Sequence, residues 1–130
     1  MCRCFIVYAL CVLALSSTYK NIGDRPAKLR FLDSRIVEFG DLVQGDTATV
    51  DVRFTNDGSE DLVIYKVEKT CNCTKVTLTK HIIPYDTIGC VKMRISTIGK
   101  QGPQTVVLKL LTNGENEYYL IRVNLNVLKQ

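Results

Sequence analysis

From Ala48 to Thr55 the chain alternates without a slip. Ala48, Val50, Val52 and Phe54 are apolar; Thr49, Asp51, Arg53 and Thr55 between them are polar. Successive side chains of a strand point to opposite faces, so this period of two gives one greasy and one wet face. The pattern recurs. Val91, Met93 and Ile95 alternate with Lys92, Arg94 and Ser96, and Tyr119, Ile121, Val123, Leu125 and Val127 alternate with Leu120, Arg122, Asn124 and Asn126. Leu62–Val67 is a further strand whose parity slips between Ile64 and Val67, which predicts a bulge. Thr105–Thr112 (TVVLKLLT) is almost continuously apolar, as expected of a central strand, and Ile36–Gly40 reads as a short edge strand.

Turn residues punctuate these runs: Gln44-Gly45-Asp46, Asn56-Asp57-Gly58-Ser59, Gly99–Pro103 and Asn113-Gly114-Glu115-Asn116. No window after Ser17 carries a sustained helical stripe. One sheet alone would leave its apolar face in water, so the pattern predicts an all-β sandwich of two face-to-face sheets.

The first residues obey a different logic. Cys4–Leu15 (CFIVYALCVLAL) is an unbroken apolar run of 12 residues, too short for a spanning helix, which needs about 17–25. It fits the apolar core of a secretory signal-peptide helix, with Ala14 and Ser16 as the small residues of a cut before Ser17. Against this stand the single leading charge, Arg3, and the trailing Lys20 and Arg25. Lipid attachment at Cys11 would want a small residue before it, where Leu10 stands. The expected organisation is therefore a signal peptide at 1–16, a basic linker at 17–33 and a sandwich domain at 34–130. Cleavage leaves 130 − 16 = 114 residues, enough for one core.

Charge narrows the function classes. The chain carries 17 Lys and Arg against 13 Asp and Glu, a net +4. Residues 36–130 hold 11 of each sign, so the body has no net field to attract a polyanion, and nucleic acid is not an expected partner. The surplus lies in Arg3 and in Lys20, Arg25, Lys28, Arg30 and Arg35, a segment that reads first as a solvated linker.

Three of the six cysteines lie in the presumed signal, leaving Cys71, Cys73 and Cys90. An odd count in an exported chain calls for a free thiol, an intermolecular pair or a metal ligand. Cys71-Asn72-Cys73 places two thiols at i and i+2. On a strand they would share a face with Cα atoms roughly 7 Å apart, suited to Cu(I) or Zn(II), with Cys90 and His81 as further ligands. A Cys71–Cys73 disulfide would close a very small ring and be strained, hence easily reduced. Cys71–Cys90 and Cys73–Cys90 bridges that tie neighbouring strands are also open, as is a plain role as small buried hydrophobes. By parity Cys90 faces away from the core. The sequon Asn72-Cys73-Thr74 has no meaning outside a eukaryotic secretory route. His81, the only histidine, has no nucleophile motif around it, and neither a catalytic site nor a cofactor or small-molecule substrate is indicated.

Taken together, IVEFGDLVQGDTATVDVRFTNDGSEDLVIYKVEKTCNCT, IIPYDTIGCVKMRIST and KQGPQTVVLKLLTN resemble the bacterial family called domain of unknown function 1573. Phe39-Gly40 and Gly45 match its opening, and Phe54, Asn56 and Gly58 its strand and turn. Leu62, Ile64 and Val67 match the next strand, and Cys71, Cys73 and Thr74 its cysteine motif. Pro84, Gly89, Val91, Met93, Ile95 and Asn113 match the remaining pieces. Asn72 and Tyr85 stand where the family usually has glycine, and Cys90 where it has a polar residue. The resemblance implies an immunoglobulin-like antiparallel sandwich of about seven strands, of the major-sperm-protein and cilium-associated type. It also implies a bacterial protein exported to the periplasm or envelope, with no assigned activity. The resulting expectation is a non-enzymatic module that binds another envelope protein through a sheet edge, with Ile36–Phe39 as the expected edge and the membrane involved only through an uncleaved signal. The alternative is a thiol protein, binding Cu or Zn or doing redox chemistry through Cys71 and Cys73.

Overall fold

The computed structural model describes residues 25–130. The expected signal peptide, 1–16, and the first part of the expected linker, 17–24, lie outside them. Nine strands form two sheets: β1 (Leu29–Phe31), β2 (Ile36–Val43), β3 (Thr47–Asn56), β4 (Leu62–Lys69), β5 (Thr74–Leu78), β6 (Ile82–Ile83), β7 (Ile88–Ser96), β8 (Gly102–Thr112) and β9 (Tyr118–Leu128). One sheet has the order β1-β3-β7-β5 and the other β2-β9-β8-β4-β6. This is the expected all-β sandwich, and the apolar face of each alternating strand turns inward. Phe54, Met93, Leu108, Ile121, Val91 and Leu110 are fully buried between the sheets. Burying each such side chain is worth about 1.5–3 kcal/mol, so this double layer of apolar residues supplies the main drive to fold.

The nearly continuous apolar run of β8 is explained by its place, between β9 and β4 in the middle of its sheet. The parity slip in β4 is a bulge: the register with β8 shifts between Ile64 and Lys66.

Three features depart from expectation. Among the described residues the strands number nine rather than about seven: β1, β5 and β6, at three, five and two residues, are too short to have been read from periodicity. The pairing is not wholly antiparallel: β2 runs parallel to β9, with Val37 beside Val123 and Leu42 beside Val127. Residues 25–33, expected as linker, are instead part of the sandwich. Ala27 and Leu29 are buried, and Leu29–Phe31 pair with Asn56–Phe54 of β3. The lysine and arginines of this segment face solvent while Ala27, Leu29 and Phe31 pack on the core, so charge alone concealed the strand.

Asn56 ties this N-terminal segment down. Its side chain is fully buried and uses its whole hydrogen-bonding capacity. Oδ1 accepts from the Lys28 and Gly58 backbone N–H groups at 3.1 and 2.9 Å. Nδ2 donates to the Glu60 and Ile83 carbonyls at 2.7 and 2.9 Å. One amide thus joins the approach to β1, the β3–β4 turn and β6.

Candidate functional site: an open cleft and a thiol turn

The two sheets are left open along one side. Strand β6 covers only Leu62 and Val63 of β4, and β5 is the last strand of the other sheet. The uncovered part of β4 and the free edge of β5 border one cleft of about 460 Å³. Its walls include Tyr65, Val67 and Lys69 from β4, Val76 and Leu78 from β5, and His81.

The backbone pleat decides which groups face this cleft. The Thr70 N–H donates to the Val107 carbonyl at 3.1 Å. Alternation then turns the amides of Val67 and Lys69 away from β8. On the other side, Ser96 N–H donates to the Cys73 carbonyl at 3.0 Å and Thr79 N–H to the Cys90 carbonyl at 3.1 Å. Val76 and Leu78 therefore turn their backbone groups away from β7. Val67, Val76 and Leu78 are half-buried and packed on the core, so the floor of the cleft is apolar. Lys66, Lys69 and His81 border it, and no carboxylate does among the described residues.

The expected binding edge, Ile36–Phe39, is indeed an edge, since β2 ends its sheet. It is guarded. The Ser34 hydroxyl donates to the Ile36 carbonyl at 2.7 Å and accepts from the Ile36 N–H at 3.2 Å. The register breaks between Glu38 and Gly40, and the Glu38 and Asp41 carboxylates engage Asn124 and Asn126. Local capping, a bulge and acidic side chains all discourage a further strand.

The cysteines occupy the connection from β4 to β5. They lie in a turn rather than on a strand: Thr74 N–H donates back to the Cys71 carbonyl at 3.2 Å. Their Cα atoms are 5.1 Å apart, closer than the strand spacing expected, and the sulfurs form a disulfide. Cys73 N–H also donates to Cys71 Sγ at 3.2 Å, and the Thr74 hydroxyl lies 3.7 Å from Cys73 Sγ. Lys69 Nζ donates to the Thr74 carbonyl. Both cysteines border a cavity of about 210 Å³ that Lys100 and Gln104 also line. Cys73 alone borders a second recess, of about 340 Å³, with Lys75 and Arg94 in its wall.

Cys90 is elsewhere. It sits on β7 opposite Arg53, on the outer face as parity predicted. Cys73 meets β7 at Ser96, six residues along the strand from Cys90, or roughly 20 Å at ~3.3 Å per residue. Burial pushes the Cys90 thiol up, and Asp51 adds to the rise. His81 lies between β5 and β6, its carbonyl accepting from Ile64 N–H at 2.9 Å. The structure thus brings Cys71 and Cys73 together but does not bring Cys90 to them, and no three of the described His, Cys, Asp and Glu residues are gathered as metal ligands.

The cleft itself was not foreseen. Its signals were present in the short alternation of Val76 and Leu78 with Thr77 and Thr79, and in the slip at Tyr65, just beyond the last β4 residues that β6 pairs with.

Two layered sheets of this kind make an immunoglobulin-like β-sandwich, and solved structures share that fold. The chain superimposes on a protein of unknown function from Porphyromonas gingivalis with a TM-score of 0.66 and 14% identity, covering 85% of this chain and 50% of that one. It superimposes on the ASH/PapD-like domain 7 of human CEP192 with a TM-score of 0.60 and 10% identity, covering 88% and 93% respectively. A Vibrio cholerae protease, VesB, matches with a TM-score of 0.62 and 11% identity over 78% of this chain and 32% of its own. The chain spans half or less of the first and third of these, and at such identities the likeness is one of fold. No curated protein matches. The profile of the family described as "Protein of unknown function (DUF1573)" matches residues 30–127, and the chain belongs to that family.

Proposed function

We propose that this domain is a non-enzymatic binding module that takes up an extended segment of a partner protein in the β4–β5 cleft. The observation that carries this reading is the pair of open strand edges facing one apolar-floored opening, with the amides of Val67, Lys69, Val76 and Leu78 turned into it. An added strand would bond to one edge through its backbone and set alternate side chains on Val67, Val76 and Leu78. The basic border favours acidic residues at the intervening positions. The guarded edge of β2 is the poorer candidate. The family membership and the sandwich neighbours are compatible with a binding role. The apolar leader at Cys4–Leu15 supports export, and the periplasm or envelope is then where the partner would be met.

The test uses synthetic peptides in which valine alternates with glutamate, and amide hydrogen exchange read by NMR. Binding should protect amides among Val67, Lys69, Val76 and Leu78, and Val76→Asp should abolish it. Protection confined to β2, or no binding across peptides of varied register, would overturn the reading.

A further inference from the structure

We propose that the Cys71–Cys73 disulfide is a site of thiol–disulfide exchange that accepts two electrons from a dithiol, with Cys73 as the attacked sulfur and Cys71 as the leaving one. The reading does not depend on the peptide cleft, because it stands on the turn between the strands and the two recesses beside it.

The asymmetry of the turn carries the inference. Both cysteines are half-exposed, but only Cys73 borders the recess that holds Lys75 and Arg94. A thiolate is an anion, and two cations in the wall of its approach raise its local concentration. Cys71 has the complementary property: Cys73 N–H already points at its sulfur, at 3.2 Å. That hydrogen bond strengthens when the sulfur becomes a thiolate, so Cys71 is the better leaving group.

The step balances as follows. A thiolate of the co-reactant dithiol attacks Cys73 Sγ. A new S–S bond forms, the Cys71–Cys73 bond breaks and its electron pair leaves on Cys71, which takes up a proton. The second thiolate of the co-reactant then attacks the co-reactant's own sulfur in the mixed disulfide, and the Cys73 thiolate departs and is protonated. The dithiol is oxidised to a disulfide, and the Cys71–Cys73 bridge is reduced to two thiols. A protein with paired cysteines in acidic surroundings is the class of partner that fits the two cations.

The fold tolerates this cycle. The turn is also held by Thr74 N–H to the Cys71 carbonyl and by Ser96 N–H to the Cys73 carbonyl, neither of which involves sulfur. A bridge across one intervening residue closes a very short loop and so constrains the unfolded chain little. Stabilising the domain is thus a poor account of this bridge, while opening it leaves the scaffold standing.

The experiment treats the oxidised full chain with reduced glutathione, quenches in acid, alkylates the free thiols and maps the peptides by mass. Glutathione should be found on Cys73 and the alkyl label on Cys71. Dithiothreitol should then reduce the bridge fully without loss of the β-sheet circular dichroism. Replacing Lys75 and Arg94 together by Gln should slow opening by anionic glutathione about three- to tenfold, an effect that shrinks at high salt and is absent with uncharged mercaptoethanol. Cys90→Ser should change nothing. Glutathione found mainly on Cys71, or a bridge that opens only in denaturant, would overturn the proposal.

Discussion

The ring of Phe54 fills the space that a side chain at Gly89 would occupy. A Cβ built on Gly89 would fall 2.6 Å from Phe54 Cζ. The two residues face each other across the β3–β7 ladder, deep in the core. Gly89→Ala should therefore destabilise the domain by about 1–3 kcal/mol through overpacking, as read by urea denaturation. The paired change Gly89→Ala with Phe54→Leu should recover part of that loss, because the shorter side chain vacates the contested space.

Asn56 is the second point of high cost. Asn56→Ala would leave two N–H groups and two carbonyls without their partner, and a loss of about 3 kcal/mol is expected. Asn56→Asp is the more telling change. It keeps both acceptor contacts but sets an anion against the Glu60 and Ile83 carbonyls. The variant should be weakest at neutral pH and regain stability in mild acid, where a protonated carboxyl can again donate. Denaturation midpoints measured from pH 4 to 7 would check the slope.

The Asp33–Arg53 pair contributes a small part of the wild-type protein's loss of stability in acid. The Arg53 side chain and backbone N–H groups all donate to the Asp33 carboxylate, at 2.9–3.1 Å, and these bonds hold its pKa below the usual carboxylate range. A carboxyl with a depressed folded pKa contributes stability that is complete above its ordinary value, about 3.9, and lost as pH falls through the lower folded value. Asp33→Asn should make a small difference at neutral pH, since the pair is exposed, and should flatten the loss of stability below about pH 4. A pH series of urea titrations on both proteins reads this directly.

Cys90 should be a slow thiol. Its raised pKa keeps it protonated at neutral pH, and only the thiolate reacts quickly. Alkylation by iodoacetamide at pH 7 should be slower in the folded protein than in the unfolded chain, and should accelerate as the pH is raised. Rapid labelling of the folded protein at pH 7 would contradict the burial seen here.

How far the sequence foretold this structure depends on how long each pattern runs. Strands β3, β7 and β9 alternate over six to nine residues, so their inward faces were legible, while β8 showed itself as a nearly continuous apolar run. The slip in β4 gave away its bulge. Strands β1 and β6 are set by contacts distant in sequence, through Asn56 and through β3 and β4, which leave no local periodicity. The cleft is harder still, because it arises from what β6 fails to cover. The cysteine pair was visible as a motif. Its turn was not, since that geometry rests on a backbone bond from Thr74 rather than on side-chain pattern.

The parallel pairing of β2 with β9 has a mechanical consequence. Ile36 lies beside Arg122 and Val43 beside Leu128, so the start of β2 and the finish of β9 sit at opposite ends of their ladder. Tension applied between Ile36 and Leu128 slides the two strands along each other and loads their hydrogen bonds together rather than one after another. A domain tethered at those points would hold against stretching far better than a hairpin peeled from its open end.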